Sequence, residues 1–172
     1  MISFKDFLTE KLNQYKKLAW DGSPKVGWWL DNQTITFYHG THKNNLTKVM
    51  ENGLVAPTQG PTKDWVSLTL DPNTAFGYAS MSGESAFRAA GGKAMSVPKE
   101  DRVVLVLKLP KSYVESKMDE TLKGNMGSAR DHMSKEDLYK SWKKSDQEYY
   151  MTSEVRFPHK VESKYIVGYM TK

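Results

Sequence analysis

Apolar positions along the chain follow two periods, and the switches between them divide it into elements. In residues 2–20, Ile2, Phe4, Phe7, Leu8, Leu12 and Tyr15 mostly share one face at helical spacing. They predict a helix that Asp21-Gly22-Ser23-Pro24 ends. An apolar connector, Gly27-Trp28-Trp29-Leu30, leads to a turn at Asp31-Asn32. Residues 34–39 are dense in β-formers and stop at Gly40, which predicts a strand. Residues 45–51 predict a helix with Leu46, Val49 and Met50 inward and Gly53 as its stop. After a loop over 57–64, residues 65–70 predict a second strand. Asp71 as cap and Pro72 at the first helical position then predict a helix carrying Thr74 to Ser80.

The stretch 83–99 is rich in Gly and Ala and reads as mobile. Residues 102–109, RVVLVLKL, are apolar without alternation at their centre, as in a strand covered on both faces. The polar stretch 112–145 reads as loops with one helix near 135–143, and 154–157 and 165–170 read as the last strands. Short strands interleaved with short helices indicate an α+β domain. A length of 172 residues suffices for one such domain, preceded here by the N-terminal helix.

Composition narrows the chemistry. The chain has no cysteine, which excludes disulfides, a thiol nucleophile and thiolate metal sites. His39, His42, His132 and His159 show no ligand spacing, so no metal is expected. No apolar run reaches membrane-spanning length and the N-terminus lacks the apolar core of a secretory signal; a soluble protein with no membrane contact is expected. The five tryptophans suit core or cleft walls. A formal charge of +5 leaves contact with nucleic acid open. Apart from Lys140, Lys143 and Lys144, however, the basic residues are scattered as on an ordinary solvated surface.

Three short motifs carry candidate chemistry. Tyr38-His39-Gly40-Thr41 stands at a strand end, where a glycine lets backbone approach a ligand and an imidazole can bond a ribose hydroxyl. Ser67-Leu68-Thr69-Leu70-Asp71 puts Ser67 and Thr69 on one strand face, and Tyr78 follows in the next helix, able to return over that face. Thr152-Ser153-Glu154-Val155-Arg156-Phe157-Pro158 sets a carboxylate at the start of an apolar strand after the polar Glu148, Tyr149 and Tyr150. A fixed carboxylate beside a sugar stabilises the positive charge that builds when a glycosidic bond to ribose breaks. Each motif alone also fits a structural role: a core histidine, a half-buried strand, a surface glutamate.

In order and spacing the three resemble the ADP-ribosyltransferase family over about residues 34–172. Tyr-His-Gly-Thr followed by a helix ending in Asn-Gly-Leu is similar to the opening of rifampin ADP-ribosyltransferases and poly(ADP-ribose) polymerases. Ser-Glu-Val-Arg-Phe-Pro is similar to the strand of toxin-type members that carries the catalytic glutamate. The resemblance implies split mixed or antiparallel sheets with flanking helices, and NAD as substrate. It implies that His39 bonds the adenosine-side ribose and that the Gly40 backbone, beside Thr41, holds the nicotinamide carboxamide. Ser67, with Thr69, would line the nicotinamide pocket, and Tyr78 would stack on the ring. Glu154 would bond the nicotinamide-ribose 2′-hydroxyl and stabilise the oxocarbenium ion. His39 and Ser67 with Glu154 make a hybrid of the polymerase-type and toxin-type triads. Thr152 stands where arginine-modifying members have a glutamate, which argues against arginine as acceptor unless Glu148 substitutes; Glu148, Tyr149, Tyr150 and Thr152 fall where acceptors are recognised.

Met1 to Glu10, MISFKDFLTE, resembles the capsid-targeting segments of internal head proteins of T-even bacteriophages, with Leu8-Thr9-Glu10 as the cleavage signal. It also fits an ordinary amphipathic first helix. The resulting organisation is a cleavable segment over 1–10, a helical extension over 11–33 and a catalytic domain over 34–172. The expected activity is mono-ADP-ribosylation of a host macromolecule, most simply a protein, by a chain carried in the phage head and delivered to the host cytoplasm. Two rival readings stand beside it. One is a small-molecule ADP-ribosyltransferase or RNA 2′-phosphotransferase on the same fold. The other is a basic internal head protein that binds DNA without catalysis.

Overall fold

The computed structural model describes residues 15–23, 33–59, 63–81, 97–117 and 155–172. Strand β1 (Thr34–His42) is followed by a 3-10 turn, helix α1 (Leu46–Asn52), β2 (Leu54–Val55) and β3 (Trp65–Leu68). Helix α2 (Pro72–Ala79), β4 (Arg102–Pro110), α3 (Lys111–Ser116), β5 (Val155–Pro158), β6 (Lys160–Val161) and β7 (Ile166–Met170) complete the order. The architecture is α+β, with antiparallel sheets and few helices.

The main sheet has the order β1-β4-β7. Its centre is β4, whose residues Val103 to Leu107 are all buried, as the unbroken apolar run predicts. Alternation sorts the sheet's side chains onto two sides. On one, Ile35, Phe37, Leu105, Leu107 and Leu109 pack with Val66, Leu68 and Phe157 of the β3–β5 pair and with Leu46 of α1. On the other, Tyr38, Val104 and Val106 pack with Ala75 and Phe76 of α2 and Met170 of β7.

β3 pairs with β5 in register Trp65 to Pro158 through Leu68 to Val155, and β2 with β6. The β3 end is stitched to the main sheet at one place. Tyr38 N–H donates to the Thr69 carbonyl (2.8 Å), and Thr69 N–H to the Tyr38 carbonyl (3.0 Å). Around this stitch the two sheets part.

Residues 15–20 correct that part of the helix expected over 2–20, and residues 15–23 that part of the helical extension expected over 11–33. They are extended, not helical. Lys17 bridges Tyr169 in parallel, Leu18 N–H donates to the Tyr169 carbonyl (2.8 Å), and Tyr169 N–H donates to the Lys16 carbonyl (3.1 Å). The outer edge of β7 needs backbone partners, and Gly168, whose absent Cβ would overlap the Lys16 carbonyl, makes room for them. This tertiary demand outweighs the local helical pattern.

The short β2 and β6, helix α3 and the 3-10 turns at Lys43–Asn45, Lys99–Asp101 and Ser163–Tyr165 are additions to the expected elements. The readings on residues 2–14, 24–32, 83–96 and 135–143 lie outside the described residues. So do Glu10, Glu148, Tyr149, Tyr150, Thr152 and Glu154. No helix among the described residues is long and apolar enough to cross a membrane.

Candidate functional site

A cleft of about 670 Å³ opens where the sheets part. The six described candidates, His39, Gly40, Thr41, Ser67, Thr69 and Tyr78, all line it. The fold thus brings the first two motifs to one place. Of the third motif, Val155, the residue after Glu154 in the chain, pairs with Leu68 at the end of the β3–β5 ladder.

His39 is fixed by its neighbour across the stitch. Its Nδ1 lies 2.8 Å from the Ser67 carbonyl oxygen. A carbonyl only accepts, so Nδ1 carries the proton and donates it, which leaves Nε2 of the neutral ring as an acceptor. Burial pushes the imidazole below its usual range, against an opposing contribution from the Ser67 hydrogen bond, and so favours the neutral form. The side chain is thereby suited to receive a hydroxyl proton.

Gly40 has two functions in the geometry. A Cβ there would overlap the Ala75 carbonyl and stand 2.7 Å from the Ala79 nitrogen, so α2 docks on β1 only because position 40 has no side chain. The backbone of Tyr38 faces the Thr69 edge of β1, and strand alternation turns the N–H and C=O of Gly40, two residues on, to the same edge. β3 has parted from β1 there, and Gly40 lines the cleft.

The two threonines are more structural than ligand-facing. Both are buried. Thr69 Oγ1 accepts the Asp71 N–H (3.2 Å), and Thr41 Oγ1 accepts from Asn45 Nδ2 (3.2 Å). Asp71 caps α2 as expected, its carboxylate accepting from Asn73 N–H (2.9 Å), Thr74 N–H (3.1 Å) and Thr74 Oγ1 (2.6 Å), with Pro72 at the helix start. Tyr38, buried behind the cleft wall, has its hydroxyl pushed up to about 12, first by burial and then by the nearby Asp21 and Asp71 carboxylates.

Tyr78 is not a core tyrosine. It is 41% exposed, on the cleft side of α2, one position before the fully buried Ala79. Val55 at 64% and Met81 at 51% are the other exposed large hydrophobics among the described residues, and both line the same cleft.

Lining residues that the motif reading missed include Asn45, Lys48 and Asn52 from the α1 segment and Trp65 from β3. Their signal was present in the sequence. With Leu46, Val49 and Met50 assigned to the core side, Asn45, Lys48 and Asn52 fall three and four positions apart on another stripe of the same helix. No group of three or more metal-ligating side chains occurs among the described residues. Compared with known proteins, the chain matches no family model and no curated protein.

Proposed function

We propose that the chain is an NAD-dependent ADP-ribosyltransferase. The observation that carries this reading is the convergence of His39, Gly40, Ser67 and Tyr78 on one cleft. They come from two segments whose anchor residues, His39 and Ser67, are 28 positions apart and directly hydrogen-bonded. Three of them, His39, Gly40 and Tyr78, also have features that suit the proposed roles. Burial favours the neutral His39 ring, whose Nε2 can accept a hydroxyl of the adenosine-side ribose. Gly40 offers backbone N–H and C=O at an open strand edge, the donor and acceptor that a carboxamide needs. The Tyr78 ring is exposed on the cleft and suited to stack on nicotinamide.

In this reading Glu154, assigned by the family resemblance, bonds the 2′-hydroxyl of the nicotinamide ribose. As the bond from C1′ to the nicotinamide nitrogen breaks, its electron pair leaves with nicotinamide and the carboxylate stabilises the oxocarbenium ion. A nucleophile of the acceptor then forms the new bond to C1′ and gives up its proton. The acceptor is a host macromolecule, most simply a protein, met by Glu148, Tyr149, Tyr150 and Thr152. Delivery from a phage head after cleavage at Glu10 belongs to the same proposal.

Nicotinamide release from NAD, measured for the wild type and Glu154→Gln with and without bacterial lysate, tests it. The substitution keeps the side chain's size and removes its charge. Release should fall by roughly 100-fold or more with folding intact. Turnover that depends on lysate would identify the acceptor as a host molecule. No release from either protein in any lysate overturns the enzyme reading.

A further inference from the structure

We infer that Lys48, flanked by Asn45 and Asn52, is the anion-holding wall of the cleft and takes the diphosphate bridge of a dinucleotide. The identity of the dinucleotide rests on the NAD reading above; the anion site itself does not.

The first observation is the charge of the lining. Among the described lining residues there is no Asp and no Glu, and Lys48 is the one Lys or Arg. His39 adds no charge, because burial favours its neutral ring. Within the described lining a ligand therefore meets one fixed positive charge and no carboxylate that would repel an anion.

The second is the pattern on α1. Asn45, Lys48 and Asn52 recur at three and four positions and form one stripe. Asn45 already has helical backbone angles, so the stripe includes it. Each amide nitrogen carries two hydrogens. Asn45 Nδ2 uses one on Thr41 Oγ1 (3.2 Å), and Asn52 Nδ2 uses one on the Lys48 carbonyl (3.1 Å). Those bonds orient the amides and leave each a second hydrogen for a phosphate oxygen. Neutral donors on both sides of an ammonium suit two linked phosphates better than a single carboxylate.

The third is what the remaining walls offer. Tyr78 and Met81 expose apolar surface from the α2 side, and Val55 and Trp65 line the cleft from β2 and β3. Apolar surfaces on the α2 side and on the β2 and β3 side, with the cationic stripe on α1, match a ligand made of two ring systems joined by an anionic bridge.

Equilibrium binding to the full chain tests the inference. The probes are ADP-ribose, ADP and inorganic pyrophosphate, with uncharged nicotinamide as control; the variants are Lys48→Ala, Lys48→Glu and Lys48→Arg, each checked for unchanged thermal unfolding. ADP-ribose should bind about tenfold more weakly to Lys48→Ala and weaker still to Lys48→Glu. Lys48→Arg should stay within about threefold of the wild type, and nicotinamide binding should not change. The wild type's affinity for ADP-ribose should fall with added salt more steeply than that of Lys48→Ala. In turnover, KM for NAD should rise while kcat holds, the mark of uniform binding. Wild-type affinity for ADP-ribose in Lys48→Glu overturns the inference. If ADP or pyrophosphate binds through Lys48 but NAD is not turned over, the enzyme reading falls and the anion site stands. If none of the three diphosphate probes binds the wild type, the anion site falls, whatever the NAD turnover.

Discussion

The two helices that line the cleft are held in opposite ways. Helix α2 is locked. Its N-terminus is capped by three hydrogen bonds to Asp71, and its Ala75 and Ala79 lie fully buried against the side-chain-free Gly40. The ring of Phe76 packs edge-on against Trp20 at 5.7 Å, beneath the cations of Arg102 at 5.4 Å and Lys172 at 5.5 Å. Helix α1 is held far less. Its N-cap Asn45 makes no side-chain capping bond and only Leu46 is buried, although Gly53 at φ 79° stops it cleanly. A packed helix can hold a ring such as Tyr78 at a fixed place for stacking. A helix tied down on one side keeps a long cation and two amides free to meet an anion. Substitutions along the α2 contact should therefore register in stability, and those along the α1 stripe in binding.

The largest expected effect comes from Gly40→Ala. The new Cβ meets backbone of α2 rather than a flexible side chain, so the helix must shift off β1 or the strand must bend. Overpacking against backbone should cost about 3 kcal/mol or more in urea unfolding. A loss below about 1 kcal/mol would show that α2 is not locked.

Next, Asp71→Ala should cost about 2 kcal/mol, because two helix N–H groups and the Thr74 hydroxyl lose their acceptor in a largely buried place. The matching substitution on the other helix, Asn45→Ala, loses one bond, to Thr41 Oγ1, and should cost no more than about 1 kcal/mol. Equal losses at the two caps would abolish the contrast between the helices.

The same contrast explains what the sequence disclosed. Strand β4 was legible because a strand covered on both faces leaves an uninterrupted apolar run. Helix α2 was legible because a side-chain cap and a first-position proline are local chemistry. Residues 15–20 were misread as helix because the open edge of β7, a partner about 150 residues away in the chain, decides their conformation. Strands β2 and β6, two residues each, are too short to show a period. Of the residues that line the cleft, His39, Ser67 and Tyr78 were singled out through motif order. Lys48 was not, since a lone lysine on a helix signals nothing until the other face is known to be core. The structural role of Gly40 was equally hidden, because it depends on where α2 lies.

The smallest effect is confined to acid and tests whether the β3–α2 wall is tied to β1 through His39. The unfolded ring takes up a proton near pH 6.5, whereas the folded ring, its pKa pushed down by burial, stays neutral to lower pH. In that interval the unfolded state binds more protons, so the stabilisation present above pH 6.5 is lost as pH falls and levels off below the folded value. His39→Asn keeps an N–H donor for the Ser67 carbonyl and removes the titration. Urea midpoints followed from pH 7.5 to pH 5 should drop more for the wild type than for His39→Asn, the carboxylates common to both cancelling in the difference. Catalysis should report the same proton. In the proposed reaction, Nε2 once protonated can no longer accept a ribose hydroxyl, so wild-type kcat/KM for NAD should hold through that interval and fall only where the stability loss levels off, as the folded ring itself takes up the proton. Parallel stability curves for the two proteins would show that the His39–Ser67 bond leaves the ring accessible to water, and the cleft wall would then not be fixed by it.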